Sequence, residues 1–234
     1  MNSLTDAFFG AFQLILRADP TLLSIIGLSL QVSVTAVAIA SILGLALGSL
    51  VAVSRFPGRG LVIAVLNATM GLPPVVIGLL VYLLLSRAGP LGAYGLLFTP
   101  AAMVIAQVIL ITPIIAALSR QTIEDAWREY REQLASLGVQ GVSAARTLLW
   151  DSRFSLVTIT LAGLGRACAE VGAVMIVGGN IDGVTRVMTT AIALETTKGD
   201  LPLAMSLGIV LVLIVLAINI LAQSLKSFAE RRYG

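Results

Sequence analysis

The sequence has no histidine and only one cysteine among its 234 residues. Without histidine, the catalytic triads, metal sites and proton relays that rely on an imidazole are excluded. The one cysteine, Cys168, lies in an apolar segment, so no disulfide framework exists. No cluster of carboxylates takes the place of these groups. We therefore expect no catalytic residue, no metal site and no cofactor bound by this chain.

Charged residues are also scarce, at 12% of the chain, whereas a soluble domain has roughly 25%. Long runs carry no charge at all, and each exceeds the about 20 apolar residues that a helix needs to cross a bilayer. Their length suits helices and argues against an outer-membrane barrel. We predict an all-α integral membrane protein. The runs lie between Asp19 and Arg55, Arg59 and Arg87, Arg87 and Arg120, and Asp200 and Lys226.

Residues 21–234 are predicted to form a single transmembrane domain. Residues 1–20 are rich in phenylalanine and have an amphipathic pattern, which predicts an N-terminal interfacial helix. An extension of the first span, broken at Pro20, is the alternative. The apolar segment 185–194 is too short to span a membrane and suits a re-entrant or interfacial helix. The five predicted transmembrane helices cover about residues 22–53, 61–86, 96–118, 154–178 and 203–225.

Basic residues flank the apolar runs, as the positive-inside rule predicts for cytoplasmic loops. The net charge of +3 therefore reflects membrane topology and gives no reason to expect nucleic-acid binding. We expect a multi-pass protein of the cell membrane, with its N-terminus outside and its C-terminus in the cytoplasm. Ten of the 15 basic residues fall in the predicted cytoplasmic segments, namely Arg55, Arg59, Arg120, Arg128, Arg131, Arg146, Arg153, Lys226, Arg231 and Arg232.

Two adjacent prolines interrupt the second predicted span. They remove two backbone donors, so the helix must kink or break there. Freed carbonyl groups at membrane depth are tolerated only inside protein or along a wet cavity. We therefore interpret this stretch as part of a possible translocation pathway, with a simple packing kink as the alternative. The candidate pathway residues are Asn67, Thr69, Gly71, Pro73 and Pro74.

In the first span, Gly44 and Gly48 form a Gly-x-x-x-Gly pair. Such pairs let another helix approach closely in a membrane. Incidental glycines are the alternative.

The segment 120–153 is by far the richest in charge. Trp127 to Leu137 has the pattern of a short amphipathic helix, and Gly138 suits its C-terminal end. Residues 140–143 would make a turn, where a second helix can start and run into the fourth span. We predict a rigid helix-turn-helix lever in the cytoplasm, with a solvated linker as the alternative. The charged residues are Arg120, Glu124, Asp125, Arg128, Glu129, Arg131, Glu132, Arg146, Asp151 and Arg153.

This segment resembles the cytoplasmic motif in the permease subunits of binding-protein-dependent ABC importers. That motif reads Glu-Ala-Ala, three residues, Gly, nine residues, Ile, one residue, Leu-Pro. Glu132 and Gly138 match it and Leu148 stands at the Ile position, but Gln-Leu replaces the two alanines and Trp-Asp replaces Leu-Pro. The resemblance implies a coupling helix that contacts the ATPase. The implied ATPase-coupling residues are Glu132, Ala135, Ser136, Leu137, Gly138 and Leu148.

Residues 166–196 are similar to the permeases of tungstate importers, a branch close to molybdate and sulfate permeases. The pieces Gly-Gly-Asn-Ile at 178–181 and Thr-Arg-Val-Met-Thr-Thr at 185–190 favour the tungstate branch. The similarity extends from the first span to the fifth. The turn formed by Gly178, Gly179 and Asn180 is expected on the outer side of the membrane.

The resemblance implies a type I ABC importer permease that works by alternating access. Two copies of the chain would form the pore on two ATP-binding subunits, which would bind ATP and Mg. An extracytoplasmic binding protein would deliver the oxyanion, with tungstate as the expected cargo and molybdate or sulfate as alternatives. This chain lacks a Gly-x-x-x-x-Gly-Lys phosphate loop, which agrees with ATP hydrolysis by a separate subunit.

Arg166 and Glu170 are ionisable residues inside the fourth predicted span. Their spacing would place them on one face of a helix, and charges at this depth avoid lipid. They form either a structural ion pair or a cationic site for the crossing anion. We favour the ion pair, because a strong cationic trap would hinder release. Asn67, Thr69 and Asn180 are gentler candidates for oxyanion contacts, although such groups also join helices, at about 0.6 kcal/mol each.

Two other classes of function compete with an ABC permease. A secondary transporter would use internal repeats and several intramembrane acids, but no convincing repeat is present and Glu170 is the only acid at depth. A membrane-embedded enzyme would need a convergent nucleophile, base or metal cluster, which this sequence does not supply. A stable complex with an ATPase subunit would support the ABC permease, and the absence of such a complex would count heavily against it.

Overall fold

A computed structural model of the chain describes residues 3–139 and 141–233. Within these residues the chain forms ten α-helices and one 3₁₀ turn, and no strand. The prediction of an all-α protein is therefore confirmed for the part of the chain that the structure describes. The helices are α1 Ser3–Leu16, α2 Pro20–Val53, α3 Arg59–Met70, α4 Pro74–Leu85, α5 Pro100–Ser136, α6 Gly141–Asp151, α7 Arg153–Cys168, α8 Gly172–Gly178, α9 Met188–Lys198 and α10 Leu201–Tyr233.

Helices α2, α5 and α10 are each long and apolar enough to cross a membrane. Two further pairs, α3 with α4 and α7 with α8, pass the same test when each pair is taken as one broken span. The described residues therefore contain three to five candidate spans. This agrees with a multi-pass membrane protein, and five spans correspond to counting each broken pair once.

The chain forms two compact units, which are described separately. Within the described residues, unit 1 comprises the segment up to Ala36, Pro73–Gln107 and Arg166–Ala217. Unit 2 comprises Val37–Leu72, Val108–Gly165 and the segment from Ile218.

In unit 1, helix α9 is anchored on α2 and α10. The side chains that they bury together are Leu22, Ile25, Met188, Ala191 and Leu207. The hydroxyl oxygen of Ser29 accepts a hydrogen bond of 2.6 Å from the backbone N–H of Met188, the first residue of α9. Because an unpaired N–H at a helix start is costly when buried, this bond holds the segment after residue 187 in place.

Helices α4 and α8 also pack closely in unit 1. A Cβ atom at Gly78 in α4 would lie 2.8 Å from the Cα atom of Ala173 in α8. The two helix backbones can approach this closely because glycine has no side chain.

In unit 2, the glycine pair of α2 packs directly on α5. A Cβ atom at Gly44 would lie 2.9 Å from the Cβ atom of Ile115. At Gly48 it would collide with the hydroxyl of Ser119 and the carbonyl of Ala116. The prediction that this pair mediates close helix packing is confirmed, and the alternative of incidental glycines is wrong.

The first two helices are separate, as predicted. Helix α1 ends at Leu16, and the side chain of Asp19 accepts hydrogen bonds from the backbone N–H groups of Thr21 (2.9 Å) and Leu22 (3.1 Å). This is an N-cap for α2, and a break at this point fits both the interfacial helix and an extension of the first span broken at Pro20. That α1 lies at a membrane interface stays a prediction.

The prediction of a separate short helix from Trp127 to Leu137 is wrong. Helix α5 runs without interruption from Pro100 to Ser136. No glycine or proline follows Pro113 within it, and ion pairs one turn apart extend it past the apolar stretch. Its predicted end is confirmed, because Gly138 adopts a φ of +71° and the N–H of Val139 donates to the carbonyl of Leu134 at 2.8 Å, as in a Schellman motif.

The fourth predicted span is also interrupted. Helix α7 ends at Cys168 and α8 begins at Gly172. The prediction that Glu170 shares a helix face with Arg166 is therefore wrong, since Glu170 lies in the break. The second helix of the lever, α6, is separated from α7 by Ser152. Of the predicted turn 140–143, Gln140 lies outside the described residues.

Candidate functional site

The end of α5 and helix α6 form a charged hairpin, residues 120–151. Its inner side is an apolar core in which Leu148 is 2% exposed. Leu148 therefore holds the two helices of the hairpin together and does not lie on its surface. The other buried members of this core are Ala52, Val53, Ile123, Leu134, Ala144, Ala145 and Leu156.

The outer side of the charged hairpin carries the remaining predicted coupling residues. Leu137 just before the turn and Val142 just after it are 76% and 72% exposed, and Trp150 at the far end of α6 is 73% exposed. The Arg153 guanidinium lies over the Trp150 ring, 5.2 Å from its centroid. Large apolar side chains that are exposed on a charged element indicate a surface that another protein covers. The five predicted coupling residues other than Leu148 are all exposed and lie in one short segment at the end of α5. They are Glu132, Ala135, Ser136, Leu137 and Gly138.

At the base of the charged hairpin, Glu124 receives three arginines. Its carboxylate lies 2.5 Å from Nη1 of Arg120, 3.1 Å from Nη2 of Arg128 and 3.3 Å from Nη2 of Arg59. Burial by itself would raise the pKa of Glu124. The charges of Arg59 and Arg120 and the hydrogen bond from Arg128 outweigh burial, so the pKa lies below its ordinary value. Glu124 therefore remains ionised and keeps this cluster together.

Arg59 connects this cluster to the end of helix α2. Its Nε donates to the carbonyl of Val51 at 2.9 Å and its Nη2 to the carbonyl of Ala52 at 3.3 Å. These carbonyls belong to the last turn of α2, where a cation is favoured by the helix dipole. Sequence reasoning missed both Arg59 and Glu124 as functional residues. The four-residue spacing from Arg120 to Glu124 to Arg128 indicates ion pairs along one helix. No feature of the sequence indicates the contact between Glu124 and Arg59.

The candidate pathway residues surround the end of α3 and the start of α4. Helix α3 ends at Met70, and Pro74 opens α4, where a missing N–H costs nothing. The hydroxyl of Thr69 donates back to the carbonyls of Val65 and Leu66, both at 2.9 Å. Asn67, Gly71 and Pro73 are exposed. The predicted break is confirmed, while the assignment of these residues to a pathway stays a prediction.

Glu170 joins the elements around the second break, within unit 1. Its side chain is 4% exposed and lies 2.7 Å from Nη1 of Arg166, so the predicted ion pair is present. The other carboxylate oxygen accepts the N–H of Ala173 at 3.2 Å, and the backbone carbonyl of Glu170 accepts the hydroxyl of Thr189 at 2.7 Å. The carboxylate of Glu170 therefore links the end of α7 to the start of α8, and its backbone carbonyl links this break to α9, which supports the structural interpretation.

The turn after α8 has the geometry that its sequence indicated. Gly179 and Asn180 have φ angles of +71° and +52°, a region that glycine and asparagine tolerate best. The side-chain amide of Asn180 donates to the carbonyl of Thr190 at 3.3 Å, and the hydroxyl of Thr185 donates to the carbonyl of Gly178 at 2.6 Å. These bonds engage Nδ2 of Asn180 and the hydroxyl of Thr185, whereas Oδ1 of Asn180 is buried without a hydrogen-bond partner among the described residues.

Comparison with known proteins shows relatives over nearly the whole chain. No family model matches. A probable anion ABC transporter permease protein of Haloferax volcanii is 39% identical over 218 residues, which cover 91% of this chain and 94% of that protein. A tungstate uptake system permease protein of Peptoclostridium acidaminophilum is 39% identical over 97% of this chain and 99% of its own length. That of Campylobacter jejuni is 34% identical over 97% and 95%. A sulfate transport system permease protein of Synechocystis is 29% identical over 92% and 79%.

Proposed function

The chain belongs to the family of ABC transporter permease proteins, and from this membership we propose that it is the membrane-spanning subunit of an ATP-driven tungstate importer. The assignment of tungstate as the cargo rests on one observation. The chain is 39% and 34% identical to two tungstate uptake permeases over 97% of its length. A sulfate permease is less similar, at 29% identity. Molybdate and sulfate are the alternative cargoes. The chain is a transport subunit and not an enzyme.

The charged hairpin is the proposed docking element for the ATPase subunit. Its apolar core gives it the stiffness of a lever, and its outer side presents Leu137, Val142 and Trp150 to a partner. In the lipid-facing part of a membrane protein exposed apolar side chains are expected, but here they stand on the most charged segment of the chain. Protein contact is the arrangement that buries them.

The proposed assembly contains two copies of this chain, two ATP-binding subunits and an extracytoplasmic binding protein for the oxyanion. The basic residues of the predicted cytoplasmic segments support a cytoplasmic hairpin, an external N-terminus and a cytoplasmic C-terminus. Closure of the ATPase subunits on ATP would displace both hairpins and switch the pore between inward-facing and outward-facing states. ATP and Mg bind to the partner subunits.

Uptake into vesicles tests the cargo and the class of transporter together. The permease is reconstituted with its ATPase subunit, and the binding protein is added outside with tungstate, molybdate or sulfate. We expect uptake that requires ATP and is fastest for tungstate. Uptake without ATP would refute the ABC mechanism, and faster uptake of sulfate or molybdate would refute the tungstate assignment.

Association with the ATPase subunit tests the docking surface. Leu137→Asp and Val142→Asp place a charge on the apolar tip, and we expect each to weaken association by about tenfold or more. Ser143→Ala is the matched control on the same exposed part of α6, and it should bind like the unchanged protein. Unaltered association of both aspartate variants would exclude the hairpin tip as the docking surface.

A further inference from the structure

We propose that Glu124 is a positioning residue, which passes movement of the charged hairpin to helix α3 through its ion pair with Arg59. This inference rests on the proposed function, because an ATPase subunit must first move the hairpin. It identifies a specific contact between the hairpin and the helix whose last turns carry the candidate pathway residues Asn67 and Thr69.

The three partners of Glu124 differ in what they connect. Arg120 and Arg128 lie one turn before and one turn after it in α5, so their ion pairs stiffen that helix alone. Among the residues that the structure describes, Arg59 is the one cation that reaches the Glu124 carboxylate from another helix. Loss of Arg59 and loss of Arg128 therefore have different mechanical consequences, although both remove a cation from the same carboxylate.

The Arg59 guanidinium is held from two sides. It donates to Val51 and Ala52 at the end of α2 while it faces Glu124. The side chains of Arg59 and Glu124 are 26% and 16% exposed, so water screens this pair less than a surface pair. The planar guanidinium presents several donors at once, which lets it serve carbonyls and a carboxylate together. Arg59 thus connects α2, the start of α3 and the hairpin.

Beyond Arg59, helix α3 packs on α5 through a small apolar cluster, to which Val62 adds a partly buried side chain. Leu66 is the one buried residue of α3, all of whose residues the structure describes, and it packs on Ala116 and Ala117 of α5. The ion pair gives the first residue of α3 its own contact with α5, about two turns before Leu66. Asn67 lies eight residues further on, about 12 Å at 1.5 Å per residue. A helix this short moves as a rigid rod, so a displacement at Arg59 also moves Asn67 and Thr69.

Arg59→Gln and Arg128→Gln form a matched pair for testing this role. In the reconstituted complex with its ATPase subunit and binding protein, we expect Arg59→Gln to lower the tungstate transported per ATP hydrolysed by about tenfold, while hydrolysis continues. Arg128→Gln should stay within about twofold of the unchanged protein. Glu124→Gln keeps the shape of the side chain and should behave like Arg59→Gln. Equal ratios for Arg59→Gln and Arg128→Gln, or an unchanged ratio for Glu124→Gln, would overturn the proposal.

A second readout does not depend on the transported anion. Asn67 is replaced by cysteine in a Cys168→Ser background, and its labelling by a thiol reagent is followed with the ATPase subunit trapped by ATP and vanadate or left free. We expect trapping to change the labelling rate by about fivefold or more, and Arg59→Gln to abolish this change. If labelling depends on Arg59 while tungstate is not taken up, the positioning role stands and the tungstate function fails. If trapping leaves the labelling rate unaltered although tungstate is taken up, the positioning role fails.

Discussion

Replacing Arg166 by glutamine isolates the contribution of the ion pair at the second helix break. The Glu170 side chain is 4% exposed and that of Arg166 is 42% exposed. Removing the arginine leaves a buried carboxylate whose other hydrogen bond is to the N–H of Ala173. Stranding a fully buried charge costs about 3–5 kcal/mol. Because water reaches the exposed part of Arg166, we expect a smaller loss of stability, about 2–3 kcal/mol.

The complementary change and the double variant separate the two interpretations of this pair. Glu170→Gln strands no buried charge and retains an oxygen for the N–H of Ala173, so it should cost about 1–2 kcal/mol. In the double variant two neutral amides face each other, and its cost should also be about 1–2 kcal/mol. The double variant is then more stable than Arg166→Gln alone, and the cycle yields a coupling of about 2 kcal/mol.

Thermal unfolding of the purified variants in detergent, followed by the fluorescence of Trp127 and Trp150, measures these differences. For a chain of this size 1 kcal/mol corresponds to about 2–4 °C, so Arg166→Gln should lower the apparent midpoint by about 4–12 °C. Tungstate uptake is measured in parallel. A double variant as unstable as Arg166→Gln would refute the structural role. A stable double variant that has lost uptake would instead show that Arg166 serves the anion.

The remaining predictions concern the hairpin, the helix contact in unit 2 and pH. Gly138→Val should lower the tungstate transported per ATP without changing membrane insertion, because the φ of Gly138 is +71° and a left-handed conformation costs other residues about 1–2 kcal/mol. Glu132→Ala should have the same effect. Unchanged coupling in both variants would contradict the role of the hairpin as a lever. Gly48→Val should cost about 1–3 kcal/mol by overpacking, measured by thermal unfolding, whereas Gly27→Val, where a Cβ meets nothing within 4 Å, should unfold at the normal temperature. The pKa of Glu124 is lowered in the folded protein, so its ion pairs stabilise the fold above the ordinary pKa of 4.5 and lose this effect as pH falls through the folded value. Glu124→Gln should therefore flatten the dependence of stability on pH in this range. An unchanged dependence would argue against the ion pairs.

The charged hairpin shows where reasoning from local pattern stops. Gly138 was identified as a helix end, since a left-handed residue is needed there and glycine supplies it. The predicted start at Trp127 is wrong, because the apolar stretch ends near Leu118 while the helix continues to Ser136. Charge affects membrane depth but does not end a helix, and the spacing of Arg120, Glu124 and Arg128 favours its continuation.

The ion pair of Arg166 and Glu170 shows a correct contact predicted for a wrong reason. The four-residue spacing brought the two side chains together even though α7 ends at Cys168. Nothing in the spacing indicated that Glu170 also accepts the hydroxyl of Thr189 through its backbone. Partners distant in the chain follow from the packing of whole helices, which local pattern does not contain.

The sequence by itself determined the helical class, the membrane setting, the broken second span and the family resemblance, because apolar run length, adjacent prolines and short motifs all act locally. Tertiary structure alone decided that Leu148 faces inward, that Leu137 and Val142 face outward, and that Arg59 meets Glu124. Arg59 and Glu124 are far apart in the chain, and their contact exists because α2, α3 and α5 converge at the base of the hairpin. Which polar groups pair across such a junction depends on the relative placement of whole helices, and only the folded chain supplies that placement.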